Sequence, residues 1–211
     1  MIAIIDYGAG NLTSVRLGFE RLGIIALITS DRFAILDAER VVFPGVGAIG
    51  SAMKRIMGLQ LIEPLRDVVA RGTPFLGICL GTQIIFERSD EDGGIEGLGL
   101  LPGAVKLFRR GEGGAKIPQI GWNDVKLKRE HPVFKGIKDG SEFYFVHSYY
   151  PVPADKQHVL AETEYAGEKF ASVIGKDNLV ATQFHPERSG KVGLKLLENF
   201  CRWDGKVQAT C

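Results

Sequence analysis

The chain has 211 residues, 45% of them hydrophobic, and 26 basic against 25 acidic side chains give it a formal charge of +1. That length suits one domain with a substantial core, and so even a balance, without long runs of one sign, speaks against nucleic acid or an anionic membrane as partner. No apolar stretch approaches the ~18 residues of a membrane span, and three widely spaced cysteines (Cys79, Cys201 and Cys211) make no disulfide framework, so a cytoplasmic protein is expected.

Ile2–Asp6 is expected as the first strand, without a charged leader before it. Asn11–Leu22 reads as a helix stopped by Gly23, Ile24–Ile28 as a second strand and Arg40–Phe43 as a third, closed by Pro44-Gly45-Val46-Gly47. Helices are expected over Ala48–Ile56 and Leu61–Arg71, followed by an apolar strand from Thr73 and a helix-like segment over Gln83–Arg88. The second half holds shorter β-rich pieces at Val105–Phe108, Val125–Leu127, Glu142–Tyr150, Val159–Glu164 and Phe170–Ile174. Segment 110–115 reads as a flexible loop, and Val192–Trp203 as an amphipathic helix with Val192, Leu196, Leu197 and Phe200 on one face. Alternation of strand and helix is the signature of a parallel sheet covered by helices. The expected fold is therefore a single α/β domain with a flavodoxin-like, mostly parallel sheet, helices on both faces, and an added antiparallel β-rich part in the second half.

Two motifs carry chemistry. In Gly77-Ile78-Cys79-Leu80-Gly81-Thr82-Gln83 an apolar strand runs into a Gly-x-Cys-x-Gly turn and then a helix, the pattern of a nucleophile elbow with sulfur in place of oxygen. The flanking glycines leave room for a sharp turn, which exposes the thiol at the positive end of a helix, where thiolate is favoured. The backbone N–H of Leu80 is then placed as one oxyanion donor. Far along the chain, Asn178-Leu179-Val180-Ala181-Thr182-Gln183-Phe184-His185-Pro186-Glu187 reads as a strand that delivers His185 at its tip. Pro186 marks the strand end, and extended geometry would put Glu187 on the same side as His185. A thiol, an imidazole and a carboxylate are the three parts of a nucleophilic triad.

Other residues read as structural. His131 and His158 are expected at the surface, Cys201 in the core, and Asp90-Glu91-Asp92 in a solvated loop. Cys79, His147 and His185 lack the close-set pairs of a metal site, so no metal and no cofactor are expected. Gly8-Ala9-Gly10 is a poor dinucleotide-binding pattern, with the third glycine and the later acidic residue badly placed.

Taken together, the two motifs make the chain resemble a triad-type (class I) glutamine amidotransferase over nearly its whole length, 1–203, with 204–211 as a tail the resemblance does not reach. Five further segments are similar to the glutaminase subunits of imidazole glycerol phosphate synthases. These are Asp6-Tyr7-Gly8-Ala9-Gly10-Asn11-Leu12, Pro44-Gly45-Val46-Gly47-Ala48, Ile117-Pro118-Gln119-Ile120-Gly121-Trp122-Asn123, Phe145-Val146-His147-Ser148-Tyr149-Tyr150 and Pro186-Glu187-Arg188-Ser189-Gly190. Ile49, where an aromatic is frequent, and Gln119-Ile120 before Gly-Trp-Asn depart from the common spelling without touching the chemistry. The resemblance implies Cys79, His185 and Glu187 as catalytic, with a second oxyanion donor from Val46 or Gly47 beside Leu80. It also implies Gln83, His147, Ser148 and Tyr149 as glutamine-binding. It implies a heterodimer with a (β/α)8-barrel cyclase that makes imidazole glycerol phosphate and AICAR in histidine biosynthesis, docked on Tyr7–Asn11, Trp122, Asn123 and Arg188. Two other readings remain: a self-sufficient gamma-glutamyl hydrolase or Cys peptidase on a related fold, and a non-catalytic module that kept the scaffold. The intact Cys79, His185 and Glu187 argue against the last.

Overall fold

The computed structural model describes residues 1–109 and 115–207. The loop expected at 110–115 lies, apart from Ala115, outside the described residues, as does Cys211. The first half alternates as β1 (Ile2–Ile5), α1 (Leu12–Glu20), β2 (Ala26–Thr29), α2 (Arg32–Leu36), β3 (Arg40–Gly45), α3 (Ile49–Gly58), α4 (Ile62–Ala70), β4 (Phe75–Cys79) and α5 (Leu80–Ile84). The second half is β5 (Phe86–Ser89), β6 (Ile95–Glu96), β7 (Leu101–Leu107), β8 (Gln119–Leu127), β9 (Ser141–His147), β10 (Tyr149–Pro153), β11 (Val159–Tyr165), β12 (Glu168–Lys176), β13 (Leu179–Thr182) and α6 (Gly190–Arg202).

The large sheet has the order β2-β1-β3-β4-β13-β12-β11-β8-β9. Strands β2, β1, β3, β4 and β13 run parallel, and β12, β11, β8 and β9 extend the sheet with antiparallel ladders. Strand β1 is buried along its whole length, with Ile2 and Ile4 in one core and Ala3 and Ile5 in the other. Such doubly buried apolar strands are what a parallel sheet with helices on both faces demands. On one face, Val15 and Phe19 of α1 pack with Leu196, Leu197 and Phe200 of α6. On the other lie Ile35 of α2, Ile49, Ala52 and Ile56 of α3, Leu65 and Val68 of α4, and Ile84 of α5. A second sheet, β10-β7-β5-β6, packs into that same core through Phe86, Leu101 and Val105. Among the described residues no helix is long and apolar enough to cross a membrane.

Several boundaries differ from the sequence reading, each for a local reason. Gly23 takes a φ of 72° and Ile24 donates its N–H to Phe19 O, so Ile24 closes α1 instead of opening β2. The short α2 is set by Asp31, whose Oδ1 accepts from Phe33 N at 2.7 Å and Ala34 N at 3.0 Å. The helix expected over Gln83–Arg88 instead spans Leu80–Ile84, because Leu98 N and Leu100 N capture the carbonyls of Ile84 and Ile85 and draw Phe86 into β5. The single strand expected over Glu142–Tyr150 breaks at Ser148, where the chain leaves the large sheet for the small one. His131 is not a surface group: it is buried against Trp203 with ring centroids 4.8 Å apart, and burial pulls its pKa down to about 4. His158 is half-buried.

The turn from β4 into α5 depends on glycine. A Cβ on Gly81 would lie 1.8 Å from Phe43 O, a backbone atom of β3 that cannot move aside. Gly58, the last residue of α3, has open space around its Cβ position. Gly81→Ala is expected to destabilise by several kcal/mol or prevent folding, and Gly58→Ala to be neutral or slightly stabilising, as read by thermal melts.

Candidate active site

Cys79 ends β4 and adopts φ 55° and ψ −106°, a region L-residues rarely occupy. Space as well as conformation explains its neighbours: a Cβ on Gly77 would meet Gly81 O at 2.9 Å. The chain reverses so tightly that the thiol is turned out of the sheet, and α5 starts at the next residue. With only five residues, α5 offers little of the helix dipole expected from the sequence. What remains is local: the Leu80 N–H sits in the first turn and has no acceptor within the helix.

His185 arrives at the same place from β13, the strand paired parallel to β4 with Thr182 opposite Ile78. It lies three residues past the strand end rather than at its tip. Its backbone N–H donates to Tyr144 O at 2.9 Å, while Ser189 Oγ donates to His185 O at 2.7 Å and accepts from Tyr144 N at 3.0 Å. Strand β9 thus holds the loop in position. Pro186–Arg188 forms a 3-10 turn with Pro at its first position, where the missing N–H costs nothing. That turn, not extended backbone, brings Glu187 back to His185, with Nδ1 2.8 Å from Glu187 Oε1. The Glu187 side chain is 2% exposed. Burial alone would hold His185 neutral, but the attraction of the Cys79 sulfur and of Glu187 outweighs it and lifts the His185 pKa to about 10.

A cleft of about 240 Å³ opens on these three groups. Its walls are Asn11, Val46, Gly47, Cys79, Leu80, Gln83, Glu91, Val146, His147, Ser148, Tyr149, His185, Glu187 and Arg188. Every residue expected from the sequence to be catalytic, to donate to an oxyanion or to bind glutamine therefore faces one cavity. Val46 and Gly47 form its rim, Gly47 with a φ of 86°. Gln83 is buried rather than solvated, donating to Tyr149 O at 2.9 Å. His147 lies within 2.8 Å of Tyr149 O through Nδ1 and within 3.0 Å of the Gln119 side-chain amide through Nε2. Burial lowers its pKa to about 4, so it is neutral and Nδ1 donates to the carbonyl. Nε2 must then accept, which requires Gln119 to present its NH2.

The residues expected from the sequence to meet a partner divide. Asn11 and Arg188 stand at the cleft. Trp122 is 54% exposed, no core tryptophan, and lines a separate groove with Ile120, Asn123 and Glu164. Asn123 is half-buried and ties that groove together by donating to Glu164 O at 3.0 Å. Tyr7 does not belong on a surface: it is 1% exposed, packs on Phe43, and burial pushes its pKa up to about 12. Its place at a strand end suggested exposure, yet the aromatic ring supplies core that the adjacent Gly8 and Gly10 cannot.

Residues 3–203 match the family Glutamine amidotransferase class-I. "Imidazole glycerol phosphate synthase subunit HisH" of Geobacter sulfurreducens is 48% identical over 203 residues, 94% of this chain and 97% of that protein. HisH of Aquifex aeolicus is 50% identical over 200 residues, 94% of this chain and 95% of that one. The chain is a class-I glutamine amidotransferase of the HisH family. In structure it is similar to PurLQS from Thermotoga maritima, with a TM-score of 0.73 at 18% identity over 95% of this chain and 97% of that one, a likeness of fold.

Three site residues of this amidotransferase escaped the sequence reading. Glu91 is no solvated loop residue: its Oε2 accepts from Ile49 N at 2.7 Å, capping α3 at the edge of the cleft. Asp90-Glu91-Asp92 gives no sign of which carboxylate turns inward. Val146 contributes only its carbonyl, which no side-chain pattern reveals. Gln183 precedes Phe-His-Pro-Glu and lies fully buried against Cys79. Among the described residues no group of three His, Cys, Asp or Glu side chains could hold a metal ion.

Glu187→Gln removes a charge next to His185 and should lower the His185 pKa by a unit or more from about 10. Histidine NMR titration measures this directly; an unmoved pKa would mean that the sulfur alone sustains it.

Proposed function

We propose that this chain is the glutaminase subunit of an imidazole glycerol phosphate synthase, hydrolysing glutamine to glutamate and ammonia and passing the ammonia to a cyclase subunit. The observation that carries the proposal is one cleft holding Cys79 at a strained φ of 55° beside a His185–Glu187 pair 2.8 Å apart, in a chain about half identical to HisH proteins.

Glutamine's side-chain amide is a weak electrophile with a poor leaving group. The Cys79 thiolate attacks the amide carbon, and the carbonyl oxygen becomes an oxyanion. Leu80 N–H is one donor to it and the N–H of Val46 or Gly47 the other. His185, protonated, gives its proton to the departing ammonia, leaving a Cys79 thioester. Neutral His185 then takes a proton from water as the water attacks the thioester, and glutamate leaves with the thiolate restored. Glu187 fixes the His185 tautomer by accepting from Nδ1, so that Nε2 works on the substrate side. Gln83 and His147-Ser148-Tyr149 form the wall that holds the amino-acid end. At about 240 Å³ the cleft suits a ligand smaller than those of ordinary ~300–1,000 Å³ pockets.

Ammonia released into bulk water would protonate and diffuse away, so a useful source discharges into its acceptor enzyme. The cleft face is the docking face in this account, against a (β/α)8-barrel cyclase that makes imidazole glycerol phosphate and AICAR in the cytoplasm. Asn11 and Arg188 stand at the cleft. Trp122 and its neighbour Ile120 are 54% and 63% exposed, apolar area of the kind that anchors interfaces. Residues 1–203 would be the amidotransferase domain and 204–211 its tail.

Cys79→Ala and His185→Ala should abolish ammonia release from glutamine, while Glu187→Gln leaves a small residue. Activity of the chain alone should be low and rise strongly when a cyclase and its ligand are added, and Trp122→Ala should weaken that coupling more than it lowers the melting temperature. Full activity alone, unchanged on titrating in the cyclase, would favour an independent hydrolase.

A further inference from the structure

Gln183 sits on the bend between β13 and His185, with no exposure, and its backbone N–H is fixed to Ser172 O of β12 at 2.9 Å. Its side chain lies between two residues of the cleft. Nε2 is 3.8 Å from Cys79 Sγ, and Oε1 is 3.2 Å from Gln83 Nε2. Which end of the amide faces the sulfur follows from the neighbours. Tyr149 O can only accept, so Gln83 must turn its NH2 toward it, at 2.9 Å. The same NH2 supplies the contact with Gln183, which must therefore accept there through its oxygen. The Gln183 NH2 is left facing Cys79.

The sulfur has a second neighbour with the opposite preference. Val146 O lies 3.7 Å from Sγ and can accept from a thiol but repels a thiolate. Ionising Cys79 thus gives up an S–H···O contact and gains an N–H···S one. Other titratable groups around Cys79 are His185, backed by Glu187, the buried Tyr7, and His147 on β9, with Glu91 and Arg188 in the wall of the same cleft. Tyr7 and His147 are neutral near pH 7, so the charge about the cleft comes from His185 with its carboxylate and from Glu91 and Arg188.

We propose that Gln183 is a positioning residue: its amide donates to the Cys79 thiolate, opposes the pull of Val146 O on the thiol, and is itself held in that orientation by Gln83 and Tyr149 O. This rests on Cys79 being the nucleophile of the proposed glutaminase. It also joins the substrate-binding wall to the reacting atom, because Gln83 touches both the cleft and Gln183. A hydrogen bond to the charged form of a group stabilises that form, so the contact favours thiolate.

The test is the rate of Cys79 alkylation by iodoacetamide against pH, followed by peptide mass mapping, in the full chain and in Gln183→Met and Gln183→Glu. Met has similar length and no donor; Glu keeps an acceptor for Gln83 but sets a carboxylate beside the sulfur. In Gln183→Met the midpoint of the Cys79 profile should rise by about one unit, slowing reaction roughly tenfold at pH values well below the wild-type midpoint, with the limiting rate at high pH retained. Gln183→Glu should raise the midpoint further, and it carries the test if the Met variant does not fold. Destabilisation of a variant still folded at the assay temperature would lower the melting temperature without moving the midpoint. Variant midpoints that coincide with a fast-reacting wild-type Cys79 would overturn the role of Gln183 and leave the glutaminase reading intact. A wild-type Cys79 that reacts no faster than Cys201 would overturn both.

Discussion

The structure turns on a close approach of two backbones. Strand β3 runs so near the start of α5 that Phe43 O occupies the space a Cβ on Gly81 would need, and Gly77 is pressed against Gly81 in the same way. Gly45, opposite Cys79 in the β3–β4 ladder, is closed in by the Tyr7 hydroxyl and Leu80 Cβ. Three glycines from two strands and a helix thus allow the chain to reverse at Cys79 with a positive φ. Without that reversal the side chain would point into the sheet, and no cleft would form around it. The strain of such a φ, of order 1–3 kcal/mol, is sustained because everything around the turn is buried.

The rest of the site is hung on the same sheet. Parallel pairing of β13 with β4 sets Thr182 level with Ile78, so the residues that follow β13 emerge beside those that follow β4. The antiparallel extension supplies the clamp. Tyr144 of β9 holds both the His185 backbone and Ser189, and the passage from β9 to β10 at Ser148 lays His147, Ser148 and Tyr149 along the wall of the cleft. The cavity lies at the carboxyl ends of the parallel strands, where loops meet and backbone donors are unpaired. The two halves of the sheet therefore divide the work: the parallel half presents the sulfur and the imidazole, and the antiparallel half fixes their surroundings.

Much of this was legible in the sequence because it is local. Gly-x-Cys-x-Gly announces a tight turn, and the apolar runs of β1, β3 and β4 announce a buried parallel sheet. Motif resemblance then gathered residues far apart in the chain that do line one cleft. What escaped depends on non-local pairing. The end of α5 at Ile84 is decided by Leu98 and Leu100, which no window around Gln83 contains. The inward turn of Glu91 depends on the free N–H of Ile49, and the burial of His131 on Trp203. Tyr7 failed as a surface residue because a polar, glycine-rich context says nothing about where a ring will pack. Glu187 was assigned to the right partner by the wrong backbone, extended in expectation and a 3-10 turn in fact.

The proposed reaction rests on Cys79 as the nucleophile toward the glutamine side chain. Its surroundings differ from those of Cys201, whose thiol burial pushes up to about 11 and away from reactivity. The most direct measurement is covalent labelling with a glutamine-like electrophile at low excess, read by peptide mapping of the whole chain. One label per chain is expected, on Cys79, with protection by excess glutamine. A label on Cys201 or Cys211, or none on Cys79 while glutamine is still hydrolysed, would contradict it.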